Sequence, residues 1–243
     1  MKHWIKTFLP NNVLIIIRRI RHLQNKNLPL DQVFSHIYEK KLWGGRGSKK
    51  TDFHSGGGSK YNNSKKYENY VNNFINENQI KSIVDLGCGD FRVSKRILKR
   101  FNGFYHGCDI HSPLIERNKK KFGSSNVSFS QKNIALDELP RGELCLIREV
   151  LQHLDNKNIQ KILNKLSVYK FILITECVAR DIHKYNLNIV PGHRSRALLK
   201  SGLFIEKPPF SIKAKLVLEY QHEDKDVLLR TVCIVNDDNL NPH

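Results

Sequence analysis

Short apolar runs alternate with helix-spaced segments through the middle of the chain. Strands are predicted at residues 82–86, 104–109, 127–130, 144–147 and 171–176, where β-branched and aromatic residues lie between polar turns. Helices are predicted between them at 92–100, 113–122 and 156–166. Strands that alternate with helices read as parallel crossover units, and therefore as an α/β sheet covered on both faces. Two further β-rich runs, 216–220 and 227–235, flank a polar stretch and read as a hairpin, so the last strand is expected antiparallel to its predecessor. Upstream, Tyr67, Tyr70, Val71, Phe74 and Ile75 fall at helical spacing within 66–78, and 13–23 reads as a short helix beside Arg18, Arg19 and Arg21. The pattern divides the chain into a basic amphipathic extension (1–30), a helical and glycine-rich segment (31–79) and an α/β domain (80–243).

Charge adds a second constraint. The 243 residues carry 41 Lys and Arg against 23 Asp and Glu, a net +18, and half of that surplus precedes residue 81. With 40% hydrophobic residues the chain has material for a core, which excludes disorder throughout. The longest apolar run near the start, residues 13–17, is far short of the roughly 20 residues that a membrane span requires. Pro10, Asn11 and Asn12 also interrupt any signal-like segment, so the expected location is cytoplasmic. The five cysteines (Cys88, Cys108, Cys145, Cys177 and Cys233) form no C-x-x-C pair and read as reduced structural thiols.

The most informative segment is Val84-Asp85-Leu86-Gly87-Cys88-Gly89-Asp90. An apolar strand ends in a carboxylate, turns through two glycines and enters a helix, which brings backbone close to a ligand at the carboxyl edge of a sheet. A tight turn that merely needs small residues is the competing explanation. About twenty residues on, a second strand ends in Asp109, where a carboxylate can hold ribose hydroxyls. Arg92 stands where a dinucleotide fingerprint has its third glycine, so a bound pyrophosphate is disfavoured.

These motifs resemble the class I S-adenosylmethionine-dependent methyltransferases: residues 84–90 look like their first motif and Gly107-Cys108-Asp109-Ile110 like the second. The resemblance runs in order over about residues 80–235 and implies a Rossmann-like fold. Its mostly parallel seven-stranded sheet would carry helices on both faces and an antiparallel C-terminal hairpin strand. It implies S-adenosyl-L-methionine as cofactor, with Asp85, Gly87, Cys88 and Gly89 around the methionine and ribose portions, Asp109 and Ile110 at the ribose, and Asn133 and Ile134 bordering the adenine. A subgroup associated with bacterial sugar and surface-polysaccharide pathways is similar in its Trp43-Gly44, Ser-Gly-x-Gly-Ser and Arg-x-Val-Leu-Gln-His-Leu stretches, here at residues 43–44, 55–59 and 148–154. By that likeness Trp43, Ser55, Gly56 and Ser59 would close over the methionine end, although a glycine stretch also reads as a flexible linker.

For the chemistry itself, Arg148 is expected to hold the methionine carboxylate or an anionic acceptor, or to pair with a protein carboxylate. His153 is the candidate general base for a hydroxyl acceptor, with helix packing as its alternative role. His193, Arg194 and Arg196 follow the fifth strand and are expected to meet a phosphate or carboxylate on the substrate, unless they simply begin a solvated helix. Residues 208–210 would either shape the acceptor mouth or link two elements, and Glu149, His153 and Asp155 form a weak metal-ligand set on which nothing is built; no metal is expected.

The expected activity is methyl transfer to oxygen of a small anionic or sugar-type acceptor, a polysaccharide precursor among them. An RNA methyltransferase is one competitor, suggested by the net charge. A non-catalytic cofactor-binding adaptor on the inner membrane surface is another, with Trp4, Ile5, Phe8, Leu9 and Ile15–Ile17 inserting beside the Arg18–Arg21 cluster.

Overall fold

The computed structural model describes residues 25–45 and 53–236, so the helix expected at 13–23 and the proposed membrane-contacting extension, residues 1–23, lie outside them. In chain order the elements are α1 (Leu30–Glu39), α2 (Tyr61–Glu77), β1 (Ser82–Leu86), α3 (Arg92–Ile97), β2 (Phe104–Asp109), α4 (Ser112–Phe122), β3 (Val127–Gln131) and β4 (Leu144–Arg148). They continue with α5 (Asn156–Leu163), β5 (Phe171–Ala179), β6 (Lys184–Tyr185), β7 (Ser201–Gly202), β8 (Lys215–Gln221) and β9 (Val227–Val235). Seven strands form one sheet in the order β3-β2-β1-β4-β5-β9-β8. The first five pair in parallel, and β9 runs antiparallel to both β5 and β8. The alternation in the sequence is thus the α/β architecture, and the terminal hairpin is β8–β9.

Both faces of this sheet are covered, and the pleat sorts its side chains accordingly. Leu144 and Leu146 of β4 pack with α2 residues Tyr67, Val71 and Ile75 on one face, while Cys145 and Ile147 pack with Ile159 and Ile162 of α5 on the other. All nine residues of β5 are buried. The five cysteines are free thiols, four of them buried.

Two elements depart from the sequence pattern. Helix α1 buries Val33, Phe34, Ile37 and Tyr38 along one face, although its segment was classed with the glycine-rich stretch. Helix α2 starts at Tyr61, five residues before the apolar spacing begins, because polar contacts hold its first turn. Asn63 Nδ2 donates to the Gly57 carbonyl at 3.0 Å, Asn63 Oδ1 accepts from Glu223 N at 2.8 Å, and the Tyr220 hydroxyl donates to the Asn63 carbonyl at 2.7 Å. The two short strands β6 and β7 pair in a separate sheet. Phe210 is buried in the core, so the 208–210 segment links elements and does not shape the cleft described below. No helix among the described residues is long and apolar enough to cross a membrane.

Register decides where the chemistry collects. Asp85 lies beside Gly107 of β2 and Leu146 of β4, and Arg148 lies beside Thr175 of β5, so the carboxyl ends of β1, β2, β4 and β5 share one edge. That edge depends on a packed β5. Leu173 is wholly buried, and Leu173→Ala is expected to lower stability by about 2–5 kcal/mol through lost transfer energy and a residual cavity, read as a drop in the urea midpoint.

Candidate functional site

The turn leaving β1 is held from below. The N–H groups of Gly87 and Cys88 both donate to the Cys108 carbonyl at 2.8 Å, and Gly89 N–H donates to Asp109 Oδ2 at 3.1 Å. Gly87 and Gly89 have φ of +88° and +53°, which favours glycine, and space excludes a side chain as well. A Cβ at Gly87 would run into the Val150 methyls, and one at Gly89 into the Ser55 hydroxyl. Val150 and Ser55 therefore pack directly against this backbone, and Gly87 and Gly89 line the cleft.

Two carboxylates flank this turn with different duties. Asp85 is buried and accepts from Ser94 Oγ at 2.5 Å and from the Tyr105 hydroxyl at 2.7 Å, tying β1 to α3 and β2. Burial raises its pKa against those two hydrogen bonds. Asp109 accepts from Gly89 N and, through Oδ1, from His111 N at 3.1 Å, and burial pushes it up to about 6 against the bonds from these main-chain groups. Both residues line the cleft, as do Cys88, Ile110, Asn133 and Ile134. Asn133 Oδ1 accepts from Ala135 N at 3.1 Å, which fixes the turn that carries Asn133 and Ile134.

The roof comes from α1 and the segment after it. Ser55 Oγ accepts from Asp90 N at 2.7 Å while Ser55 N donates to Asp90 Oδ2 at 3.2 Å, a reciprocal clasp between the 55–59 segment and the end of the glycine turn. Trp43 packs edge-on to Tyr38 at 5.2 Å and lies 5.2 Å from the His153 ring, with its indole N–H donating to the His193 carbonyl at 3.1 Å. Trp43, Ser55 and Ser59 line the cleft. Gly56 does not; at φ +92° its carbonyl accepts from Ser59 Oγ at 2.8 Å and so shapes the segment from outside.

The far wall is the end of β4. Arg148 lies over the Tyr67 ring at 5.2 Å, donates to the Gly58 carbonyl at 2.9 Å and pairs with Glu149 at 3.1 Å. Burial opposes its charge, yet Glu149 and the hydroxyls of Tyr220 and Tyr67 keep its pKa raised. Glu149 adopts φ +56°, a strained conformation for a residue with a side chain, and its carboxylate fills the space beside Gly58. Glu176 of β5 anchors the following turn by accepting from the N–H groups of Val150, Leu151 and Gln152, at 3.3, 2.9 and 3.1 Å. Burial raises Glu176 to about 8 against those bonds.

Three buried polar side-chain atoms among the described residues lack a hydrogen-bond partner: Arg148 Nε, Glu149 Oε1 and His153 Nδ1. All three residues line the same cleft. Glu149 Oε1 still meets the Arg148 guanidinium as an ion pair at 3.1 Å, and buried polar atoms are nearly always satisfied, so Arg148 Nε is the atom that marks a place for a polar ligand. The cleft has a cavity volume of about 130 Å³ and opens to solvent. Asp155 takes no part, since its carboxylate caps α5 by accepting from Asn158 N at 2.7 Å, which breaks the Glu149, His153 and Asp155 set.

Of the expected anion-binding residues, Arg196 is corrected. Arg196 is fully buried, and its guanidinium donates to the carbonyls of Leu187, Leu151 and Leu154 and to Asn156 Oδ1, at 2.9, 3.0, 2.6 and 2.9 Å. All of its donors serve the fold, and it reaches no substrate. His193 and Arg194 are exposed and do not line the cleft; His193 contributes its carbonyl to Trp43. Tyr38, Tyr67, Asp90 and Glu149 line the cleft and were not singled out as binding residues. The Asp90 position inside the first motif was the available signal, whereas the positive φ of Glu149 leaves no trace in residue type.

His153 is 9% exposed, and burial, helped by His193 and Arg196, pushes its pKa down to about 4 against main-chain contacts at Arg194 and Gly192. An unfolded chain takes up that proton near pH 6.5. Stability is therefore lost as pH falls from about 6.5 toward 4, since only the unfolded state is protonated in that window. Titrated by NMR, the His153 ring is expected to stay neutral from pH 8 to 5 and to protonate near 4.

Residues 83–168 match the family model described as a methyltransferase domain. No curated protein sequence matches the chain. Among solved structures, magnesium protoporphyrin IX methyltransferase (ChlM) from Synechocystis PCC 6803 with bound SAM is similar at 11% identity and a TM-score of 0.54, over 86% of this chain and 98% of that one. The same enzyme with bound SAH gives 10% identity and 0.54 over 85% and 99%. A Nostoc punctiforme PCC 73102 protein titled as an O-methyltransferase gives 12% and 0.50, over 70% of this chain and 56% of that one. EvdMO1, at 11% identity and a TM-score of 0.47, is matched over 68% of this chain, which spans only 40% of its length. At such identities the likeness is one of fold: the chain has a Rossmann-like methyltransferase fold, with a methyltransferase domain matched over residues 83–168.

Proposed function

We propose that this protein transfers a methyl group from S-adenosylmethionine to an oxygen of a small anionic or sugar-type acceptor, such as a polysaccharide precursor. The observation that carries the reading is one cleft lined on one side by the glycine turn and Asp109 and on the other by Arg148, Glu149 and His153, with Arg148 Nε lacking a hydrogen-bond partner. Polar groups on two facing walls suit a cofactor and an acceptor held face to face.

The residues present fit the cofactor. Gly87 and Gly89 line the cleft where its ribose and methionine portions would lie, Asp109 offers acceptor oxygens for ribose hydroxyls, and Asn133 and Ile134 border the adenine. Asp85 orients the glycine turn through Ser94 and Tyr105, and Trp43, Ser55 and Ser59 cover the methionine end, their backbone shaped by Gly56. Arg148, charged beside Glu149, faces a carboxylate there. When bound, S-adenosylmethionine supplies an electrophilic methyl group on a sulfonium. The protein's share is placement and exclusion of water by Phe34, Tyr38 and Trp43, and correct placement alone is worth about 7–11 kcal/mol of barrier.

His153 Nε2 accepts from Gln152 Nε2 at 3.3 Å, so the neutral ring carries its proton on Nδ1 and fits the acceptor as a hydrogen-bond donor. With its pKa pushed down to about 4 it stays neutral, so its contribution is to orient the acceptor oxygen. The likeness of the 43–44, 55–59 and 148–154 stretches to enzymes of sugar pathways supports the acceptor class.

Two measurements test this reading. Asp109→Asn is expected to weaken S-adenosylmethionine binding at least tenfold by calorimetry, and an unaltered affinity contradicts the ribose placement. Labelled methyl transfer into cell fractions is expected in the nucleotide-sugar or polysaccharide fraction with an alkali-stable ether label; label confined to RNA contradicts the acceptor class.

A further inference from the structure

A second concavity lies on the helical face of the sheet, outside the cleft. It is lined by Arg92, Lys95, Arg96 and Lys99 on and just after α3 and by Arg117 and Phe122 of α4, with Asp90 as the one acid among its lining residues. Two of these cations are compensated: Arg92 pairs with Asp90 at 3.2 Å and Arg96 with Glu68 at 2.7 Å. Among the described residues no ion pair compensates Lys95, Lys99, Arg117 or the neighbouring Lys121, and the one nearby acid on α4, Glu116, is taken by Lys119 at 2.8 Å. Arg117 spends its hydrogen bonds on neutral acceptors, the Asp90 carbonyl at 3.1 Å and Asn118 Oδ1 at 2.8 Å.

The cations are also arranged. Lys95, Arg117 and Lys121 converge on the Phe122 ring, at 5.1, 5.2 and 5.5 Å from its centroid. Gathering three like charges on one ring costs mutual repulsion, which the cation–π contacts oppose. Across α3, Arg96 lies 5.7 Å from the ring of Tyr61, which is 52% exposed and also carries Lys65 at 5.8 Å. Tyr61 does not itself line the groove; Arg96, which does, links this exposed aromatic to the uncompensated cations on the other side of α3 as one track.

We infer that this track, from Tyr61 across α3 to the Phe122 cation cluster, docks a single-stranded RNA backbone. Phosphates meet the Lys95, Lys99, Arg117 and Lys121 charges, and a base stacks on Tyr61, the combination by which proteins hold single strands without reading sequence. An anionic lipid surface would need large apolar side chains beside the cations. The exposed ones, Phe104, Leu136, Leu198 and Leu199 among them, do not line the groove. Asp90 and Arg92 line both the groove and the cofactor cleft, so a docked strand passes beside the glycine turn. The inference rests on these surface residues and stands independently of the acceptor proposed above.

The test is fluorescence anisotropy of a labelled 15-mer oligouridylate with the full chain at 100 mM salt, with phosphatidylglycerol vesicles as a second probe. Binding is expected, and the triple variant Lys95→Ala, Lys99→Ala, Lys121→Ala is expected to weaken it at least tenfold and to lower the salt slope by about 2. Tyr61→Ala is expected to weaken it about tenfold. The corresponding triple arginine variant should retain parental affinity, which separates lost charge from lost fold, and S-adenosylmethionine affinity should be unchanged in both triples. Equal oligouridylate affinity in the alanine triple and the parent overturns the proposal, because binding then resides in other basic segments. Binding to vesicles without binding to oligouridylate overturns it as well.

Discussion

Everything at the carboxyl edge of the sheet depends on the Cys108 carbonyl accepting from two successive N–H groups, those of Gly87 and Cys88. That double acceptance draws the chain leaving β1 toward the end of β2, where Asp109 takes the next donor, Gly89 N–H. Such a turn needs positive φ at two positions and no side chain against Val150 or Ser55, which only glycine supplies cheaply. The burial of Asp85 and Asp109 follows from it: each carboxylate is withdrawn from water but given donors, and their raised pKa values record a desolvation that the hydrogen bonds offset in part.

The opposite wall uses another device. Buried Glu176 of β5 gathers three N–H groups after β4, so the turn bearing Val150, Leu151 and Gln152 is fixed by a strand that never reaches the cleft. Arg196 serves the same turn from outside, binding the carbonyls of Leu151 and Leu154. With the donors and acceptors of this turn met from behind, Arg148, Glu149 and His153 line the cleft, where Arg148 Nε lacks a hydrogen-bond partner. Anchoring groups and site groups are thus divided between two layers, and the strained Glu149 backbone sits where they meet.

This division explains what the residues disclosed and what they withheld. Strands β1 and β2 begin and end where the sequence pattern puts them, because each carries apolar or aromatic residues that end at a turn on the sheet edge. The glycine turn and Asp109 were legible because backbone geometry there restricts residue type. Arg196 was not: beside His193 and Arg194 it looks like an anion binder, and only the tertiary arrangement reveals the carbonyls that it serves. Helix α1 carries Val33, Phe34, Ile37 and Tyr38 on one stripe, yet the glycines that follow hid it. The early start of α2 rests on Asn63 contacts from residues about 160 positions away, which no local pattern contains.

The central claim is that the glycine turn, the 55–59 roof and the Asn133–Ile134 border enclose one cofactor. Hydrogen exchange with and without S-adenosylhomocysteine tests it most directly. The account predicts slowed exchange at residues 55–59, 87–90, 109–111 and 133–135 together, with little change at the amides of β5. Ligand-induced protection confined to other surfaces, or none at saturating ligand, would contradict it.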